Sequence, residues 1–472
     1  MASWRTCVPS ASAENPAHFE GDFRMNDLMQ DAARRAQRYL AQLGERPVRP
    51  DPRATAELAQ LEFPLPETGR TPADVLALLD EAVSPATMAS AGPRFFGFVI
   101  GGSLPAALAA NWLAAAWDQN AGLHVSTPGV SQLERVSLAW LVELLGLPTG
   151  TVGGFVTGAT MANFTALAAA RHAVLERAGW AVEADGLFGA PPITVLVGEE
   201  AHPTLLKSLG LLGLGRARLH RVAVDGQGRM RPDALPPISG PTILCLQAGN
   251  VNTGAFDPLD ALCRPARAAG AWIHVDGAFG LWAAASPALR QQVRGLELAD
   301  SWATDAHKWL NVPYDSGLAF VRDAHALPAA MAISAEYLPK NASERIPSDY
   351  TPELSRRARG VEVWAALLSL GREGVAELVE HNCRQARRFA AGLRAAGFEI
   401  LNDVVLNQVL VSFGAPERTR RTIERLQAEG TCWAGGTVWQ GRTAMRISVC
   451  GWNTTDADVE RSLAAMLRAA QE

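Results

Sequence analysis

Residues 271–280 read "AWIHVDGAFG", a short apolar run that ends in an aspartate and breaks at glycine. A run of this length with so few polar residues reads as a strand covered on both faces, its polar end at the carboxyl side. Two further stretches have the same form. "ITVLVGEEAH" (193–202) ends near His202, and "TILCLQAGNVNTG" (242–254) ends near Asn250. A third, "GGFVTGATMANFTALAAARHAVL" (153–175), reads as strand, tight turn and long helix. Strands alternating with Ala/Leu-rich helices predict an α/β fold with a mainly parallel sheet and helices on both faces. In open sheets of that kind ligands bind beyond the carboxyl ends of the strands. His202, Asn250, Asp276 and Lys308, the last in "DAHKWLNVPYDSG" (305–317), would collect there.

The flanks differ in texture. After a Ser/Ala/Pro-rich start, "MNDLMQDAARRAQRYLAQL" (25–43) repeats apolar residues at helical spacing, and "GERPVRPDP" ends that helix. "TPADVLALLDEAV" (71–83) opens a second helix, with Thr71 as N-cap, Pro72 at the first position and Asp74 in the first turn. From Val361 onward, long helical patterns and the strand-like "VLNQVLVSFG" and "AMRISVCGW" predict a smaller α+β domain. The expected division is 1–90, 91–360 and 361–472, because 472 residues exceed what one core supports.

Composition narrows the function. With 48% apolar residues, a net charge of −5 and no basic run, the chain reads as a compact globule without a nucleic-acid partner. Its most apolar window, "LPAALAANWLAAAW" (104–117), is too short to span a bilayer, so no membrane partner and a cytoplasmic location are expected. The six cysteines, at 7, 245, 263, 383, 432 and 450, show no CxxC or regular spacing, so neither a metal site nor a disulfide framework is indicated.

The chain is short of lysine, which makes Lys308 conspicuous. Asp276 alone could equally cap a turn or meet a ligand. A lysine about thirty residues further on, across a parallel sheet, makes the pair an amine and a carboxylate of the kind a pyridoxal phosphate enzyme requires. The amine forms the covalent link and the carboxylate keeps the pyridine nitrogen protonated. The turn "TGATMANF" (157–164) offers Ala159, Thr160 and Asn163 at a helix start, suited to a phosphate. His202 could stack on a planar ring.

Together these residues resemble the group II pyridoxal phosphate-dependent amino acid decarboxylases, which include the aromatic amino acid, histidine and glutamate decarboxylases. The resemblance runs from about residue 20 and is anchored by "ADSWATDAHKWLNVPYDSG". It implies fold type I (aspartate aminotransferase-like), pyridoxal 5'-phosphate as cofactor, and a homodimer whose sites lie at the subunit interface, with the N-terminal helices embracing the partner. It makes Lys308 the Schiff-base lysine, His307 a phosphate-side contact, Asp276 the partner of the pyridine nitrogen, Ala278 a residue against the ring, and His202 the stacking histidine. In "AEYLPKNASERIPSDYTPELSRRARGVEVW" (335–364), Tyr337 matches the mobile-loop tyrosine implicated in protonating the substrate carbon after carbon dioxide leaves. The alternative for Tyr337 is an exposed loop aromatic, and His202 is the alternative donor of that proton.

The chain also departs from the family pattern. Met161 stands where a small or acidic residue is frequent, and Asn250 where a threonine near the cofactor hydroxyl is expected. "SAGPRFFGFVIGGS" (90–103) resembles the substrate-pocket strand of the aromatic decarboxylases, with Phe96, Phe98 and Ile100 as candidate substrate contacts. Ser90, Val99, Ile100 and Gly101 replace bulkier or hydroxylated residues there, and no cation stands ready for a second carboxylate. Arg446 in "AMRISVCGW" is either a substrate-carboxylate ligand or half of a domain-interface ion pair. The expected reaction is decarboxylation of an L-amino acid with an apolar or aromatic side chain to its amine. Oxidative decarboxylation to an aldehyde, transamination and aldol cleavage are the alternatives on the same cofactor, and a non-catalytic protein of this fold is the alternative without it. Family members that make aldehydes often replace the tyrosine or the stacking histidine, and this chain has both.

Overall fold

The computed structural model describes residues 25–333 and 344–471. Contacts divide the chain into two compact units, residues 1–89 and 90–472.

In the first unit a helix spans Met25–Gln42 and buries none of its residues. A short helix at Pro52–Glu57 follows, and another begins at Pro72, where the Thr71 hydroxyl accepts from the Asp74 N–H and donates back to the Asp74 carboxylate, closing the expected N-cap. Arg35 bridges Asp31 and Asp80 at 2.8 and 2.9 Å and so ties the Met25 helix to the segment after the helix Pro72–Leu78.

The second unit is built on a seven-stranded sheet. Its strands are β1 (Val152–Val156), β2 (Thr194–Gly198), β3 (His220–Val222), β4 (Thr242–Gln247), β5 (Trp272–Asp276), β6 (Ser301–Asp305) and β7 (Gly317–Val321). The spatial order is β1-β7-β6-β5-β4-β2-β3, all parallel except β7, which runs antiparallel to both neighbours. This is the mainly parallel α/β sheet of fold type I.

Alternation along the strands decides which layer each side chain joins. Leu244, Leu246, Ile273 and Val275 belong to the core on one face, with Trp282, Trp302 and Trp309. Ile243, Cys245 and Trp272 belong to the core on the other, beneath the helix Ala159–Glu176. By the same period, His274 and Asp276 face the Ala159–Glu176 helix rather than the tryptophan-rich layer.

The second, four-stranded sheet holds β8 (Glu399–Ile400), β9 (Gln408–Ser412), β10 (Gly435–Trp439) and β11 (Arg442–Ser448), antiparallel in the order β10-β11-β9-β8. The helical stretch Gly360–Ala395, broken at Gly371 with φ +61°, packs on it through Ala386, Phe389 and Leu393. Residues 94–98 also run with this sheet. The Phe96 N–H donates to the Trp433 carbonyl, and the Ser448 N–H donates to the Phe96 carbonyl.

Candidate active site

Asp276 ends β5 and is buried. Asn163 Nδ2 donates to its Oδ2 at 3.1 Å, and the Ala278 N–H donates to its Oδ1 at 3.2 Å. Burial pushes its carboxyl above the usual carboxylate range, while His202, Lys308 and the Asn163 hydrogen bond pull the other way.

Behind it lies a polar chain that runs through otherwise apolar layers. Trp272 Nε1 donates to Ser301 Oγ at 2.9 Å, and Ser301 Oγ lies 2.9 Å from His274 Nδ1. His274 Nε2 lies 2.8 Å from Asn163 Oδ1. The Asn163 amide oxygen can only accept, so the ring carries its proton on Nε2 and donates it there, which leaves Nδ1 to accept from the Ser301 hydroxyl. Burial holds His274 down to about 3, so the ring is neutral and its single N–H is used. Every donor in the chain points toward Asp276.

Lys308 follows β6, with its Nζ 2.9 Å from Asp305 Oδ2. The other oxygen of Asp305 accepts from the Ala159 N–H at 2.5 Å, at the start of the Ala159–Glu176 helix. That helix end sits close to the loop because glycines permit it. A Cβ at Gly158 would stand 3.1 Å from the His307 ring, and one at Gly317 only 2.4 Å from Gly158 Cα. His307 accepts the Ser316 N–H at Nδ1, 3.0 Å away, and stacks on Tyr314 with ring centroids 4.2 Å apart. Burial lowers its basicity.

His202 caps the helix Pro203–Leu211. Its Nδ1 lies 2.7 Å from Thr204 Oγ1, which fixes the ring, and burial keeps it less basic than a free imidazole. Asp276, Lys308, Arg446 and Asp305 all act electrostatically on that ring, so these charges share one site. Arg446, on β11, donates to the Val251 carbonyl at 3.3 Å. Burial lowers its basicity, and among the described residues no carboxylate pairs with it. The domain-interface ion pair considered for it is therefore not formed there.

Other candidates fall elsewhere. Asn163 serves the Asp276 carboxylate instead of standing free at the helix start. Asn250 turns its Oδ1 onto the Asn252 and Thr253 N–H groups, and its buried Nδ2, beside Gly228, has no hydrogen-bond partner among the described residues. The Thr160 carbonyl accepts from Ser208. Phe96 is buried in the small-sheet core, edge-on to Phe389, so the structure does not bring it to the site. Phe98 is exposed and lies over Trp433, at φ +53° and followed by Val99 at +60°. This turn carries the chain past Ile100 to Gly101, where a Cβ would be 2.0 Å from the Lys308 carbonyl oxygen. Tyr337 lies outside the described residues.

Sequence reading missed three contributors. His274 was legible as the residue two before Asp276 on the same strand face. Asn311, whose Nδ2 donates to the Trp309 and Cys450 carbonyls and whose Oδ1 accepts the Trp452 N–H, gave no local signal, nor did Tyr314.

Comparison with known proteins gives the family and the fold. The family model for the pyridoxal-dependent decarboxylase conserved domain matches residues 55–415. Tryptophan decarboxylase 1 of Oryza sativa subsp. japonica is 29% identical, over 81% of this chain and 82% of that protein. The 4-hydroxyphenylacetaldehyde synthase of Rhodiola rosea is 27% identical, over 92% of this chain and 91% of that protein. The crystal structure of Oryza sativa TDC with PLP and tryptamine superposes with a TM-score of 0.87 at 24% identity, covering 96% of this chain and 99% of that one. The chain thus belongs to the group II pyridoxal phosphate-dependent decarboxylases, lyases that release carbon dioxide from an amino acid.

Proposed function

We propose that the protein decarboxylates an aromatic L-amino acid to its amine, with Lys308, Asp276, His202 and Arg446 as the working residues. The observation that carries this reading is that the Lys308 amine, the buried Asp276 carboxylate and the buried Arg446 guanidinium, which has no carboxylate partner among the described residues, all act electrostatically on His202, the first two from the large sheet and the last from β11 of the small one. Relatives named for tryptophan and tyrosine substrates support an aromatic side chain.

The donor set fits the cofactor. Asp276 keeps lone pairs free after accepting from Asn163 and Ala278, as a partner for a pyridinium N–H requires. The glycine-lined cradle between Gly158 and His307 would be filled by any Cβ. Lys308 Nζ would hold the cofactor, with Ala159, Thr160 and His307 around the phosphate side, where the Ala159 N–H is already given to Asp305, and Ala278 and His202 on the two faces of its ring. When bound, pyridoxal phosphate supplies an electron sink for the pair left behind as carbon dioxide departs. Asp276 places a fixed negative charge where that sink must stay protonated, and the His274–Asn163 chain keeps the carboxylate aimed. Arg446 receives the substrate carboxylate and His202 walls one side. Tyr337 delivers the proton to Cα.

The remaining parts of the reading concern assembly. Residues 91–360 act as the cofactor domain and 361–472 as the small domain, while the N-terminal segment packs on a second subunit. Exposed Met25, Met29 and Leu40 on a helix with apolar periodicity, and exposed Trp112, Leu113 and Trp117 on the helix Pro105–Trp117, support a homodimer. A cytoplasmic location is supported by the free, buried state of the described cysteines. No helix among the described residues is long and apolar enough to cross a membrane.

Incubating the holoprotein with individual L-amino acids, while following amine, carbon dioxide and oxygen, tests the reading. Amine and carbon dioxide from an aromatic substrate without oxygen uptake support it. Aldehyde with oxygen uptake, or turnover of acidic amino acids alone, overturns it.

A further inference from the structure

The Ala159–Glu176 helix carries a second cluster of chemistry-bearing residues near its far end. His172 and Glu176 are four residues apart and therefore share a helix face. His325, at the start of the helix Ala326–Met331, comes in from the chain after β7. One ligand atom from each of the three lies within 4.8 Å of the other two, the only such group of histidine, cysteine and carboxylate residues among those described.

The hydrogen bonding of His172 is specific. Its Nδ1 lies 2.7 Å from Glu183 Oε2, so that nitrogen is committed to a carboxylate. Its Nε2 is shielded from solvent and has no hydrogen-bond partner among the described residues, with Glu176 Oε2 3.7 Å away and the His325 ring centroid 6.0 Å from its own. With Nδ1 taken up by Glu183, Nε2 is the ring atom that faces Glu176 and His325. An imidazole whose Nδ1–H is fixed by a carboxylate presents the Nε2 lone pair, as metal-bound histidines do.

We infer that His172, Glu176 and His325 form a binding site for a divalent transition-metal ion of the zinc type, with Glu183 orienting His172 and water completing the shell. Two imidazoles and one carboxylate select zinc, cobalt, nickel or copper over magnesium and calcium, which take oxygen ligands. A tetrahedral ion with bonds of about 2.0–2.1 Å sets its ligand atoms about 3.3 Å apart. The His172–Glu176 pair is already near that spacing, and the exposed side chains of Glu176 and His325 can rotate to close the rest. Arg171 is the neighbouring cation, and its guanidinium donates to the Leu212 carbonyl. Two glutamates leave the locality net acidic.

The site lies about 20 Å along the helix from Ala159. A metal there ties the segment leading out of β7 to the helix whose other end forms the phosphate-side turn, so its effect is on rigidity and not on the chemical step. Sequence reading expected no metal because it searched for cysteine spacing, and the third ligand is distant in the chain.

The test uses tag-free holoenzyme titrated with zinc chloride in competition with a chromophoric chelator, and a melting curve with and without zinc. The inference expects one competing equivalent per chain and a higher melting temperature with zinc. His325→Asn, an exposed change, and His172→Gln should each weaken binding at least tenfold, and Glu183→Gln about 10- to 100-fold. Cobalt in place of zinc should give the visible bands of a tetrahedral ion. The amine-forming rate of zinc-free His325→Asn should match wild type. Absence of a stoichiometric equivalent, or one retained at unchanged affinity in His325→Asn, overturns the inference. His325→Asn keeps the test decisive even if the more buried His172 variant misfolds.

Discussion

Asn163 joins a neutral buried histidine to the buried Asp276 carboxylate, accepting from His274 at 2.8 Å and donating to Asp276 at 3.1 Å. Replacing it with alanine leaves His274 Nε2 and Asp276 Oδ2, both on buried residues, each short of a partner. Asn163→Ala should therefore destabilise the protein by about 1–3 kcal/mol, read by urea unfolding. Asp276→Asn preserves the shape but removes the charge, and should lower kcat by about 10²–10³ while cofactor remains bound. Steady-state kinetics alongside the absorption spectrum checks both halves.

The same histidine predicts a pH dependence. His274 titrates at about 3 in the folded protein against 6.5 for a free imidazole, so between those values the unfolded chain binds the extra proton. Its contribution is fully present above about pH 6.5 and is lost as pH falls toward 3, at about 1.4 kcal/mol per pH unit. Asp257, buried and pushed up to about 6, acts in the opposite direction as pH rises from about 4 to about 6. Comparing wild type with His274→Gln cancels Asp257. The difference in unfolding free energy should shrink steadily on acidification below pH 6.5, and a pH-independent difference would contradict a neutral His274.

Arg446 gives a prediction about binding. A charge-assisted hydrogen bond to the substrate carboxylate is worth about 1.5–3 kcal/mol, so Arg446→Met should raise KM about 10- to 100-fold. The cofactor absorption band should be unchanged. An unaltered KM would place the substrate carboxylate elsewhere.

Tyr337 bears on the outcome of the reaction. If its hydroxyl delivers the proton to Cα, Tyr337→Phe should divert turnover toward aldehyde, ammonia and hydrogen peroxide, consuming one oxygen per carbon dioxide released. Oxygen-electrode traces with peroxide assay measure this, and amine formation at the wild-type rate would remove the tyrosine from that role.

Much of this site was legible because parallel sheets put chemistry at strand ends, and strand ends are marked by where an apolar run stops. "IHVDG" places Asp276, and "VGEEAH" places His202, by that rule alone. The long-range partners were not legible. Nothing near Asn163 in sequence announces that its helix crosses over β5, and Phe96 resembled a pocket residue until residues 94–98 were found running with the small sheet. The His274–Asn163 link needed both the period of the strand and the packing of the helix above it. The antiparallel insertion of β7 between β1 and β6 likewise depends on which strands are neighbours, which periodicity does not encode.

The chain contains three lysines, Lys207, Lys308 and Lys340, so the site of cofactor attachment can be read directly. Borohydride reduction of the holoenzyme, followed by digestion and mass spectrometry, should place the pyridoxyl group on the peptide containing Lys308 in wild type and yield no modified peptide in Lys308→Ala. A pyridoxyl group on Lys207 or Lys340, or one that survives in Lys308→Ala, would contradict the assignment on which the mechanism rests.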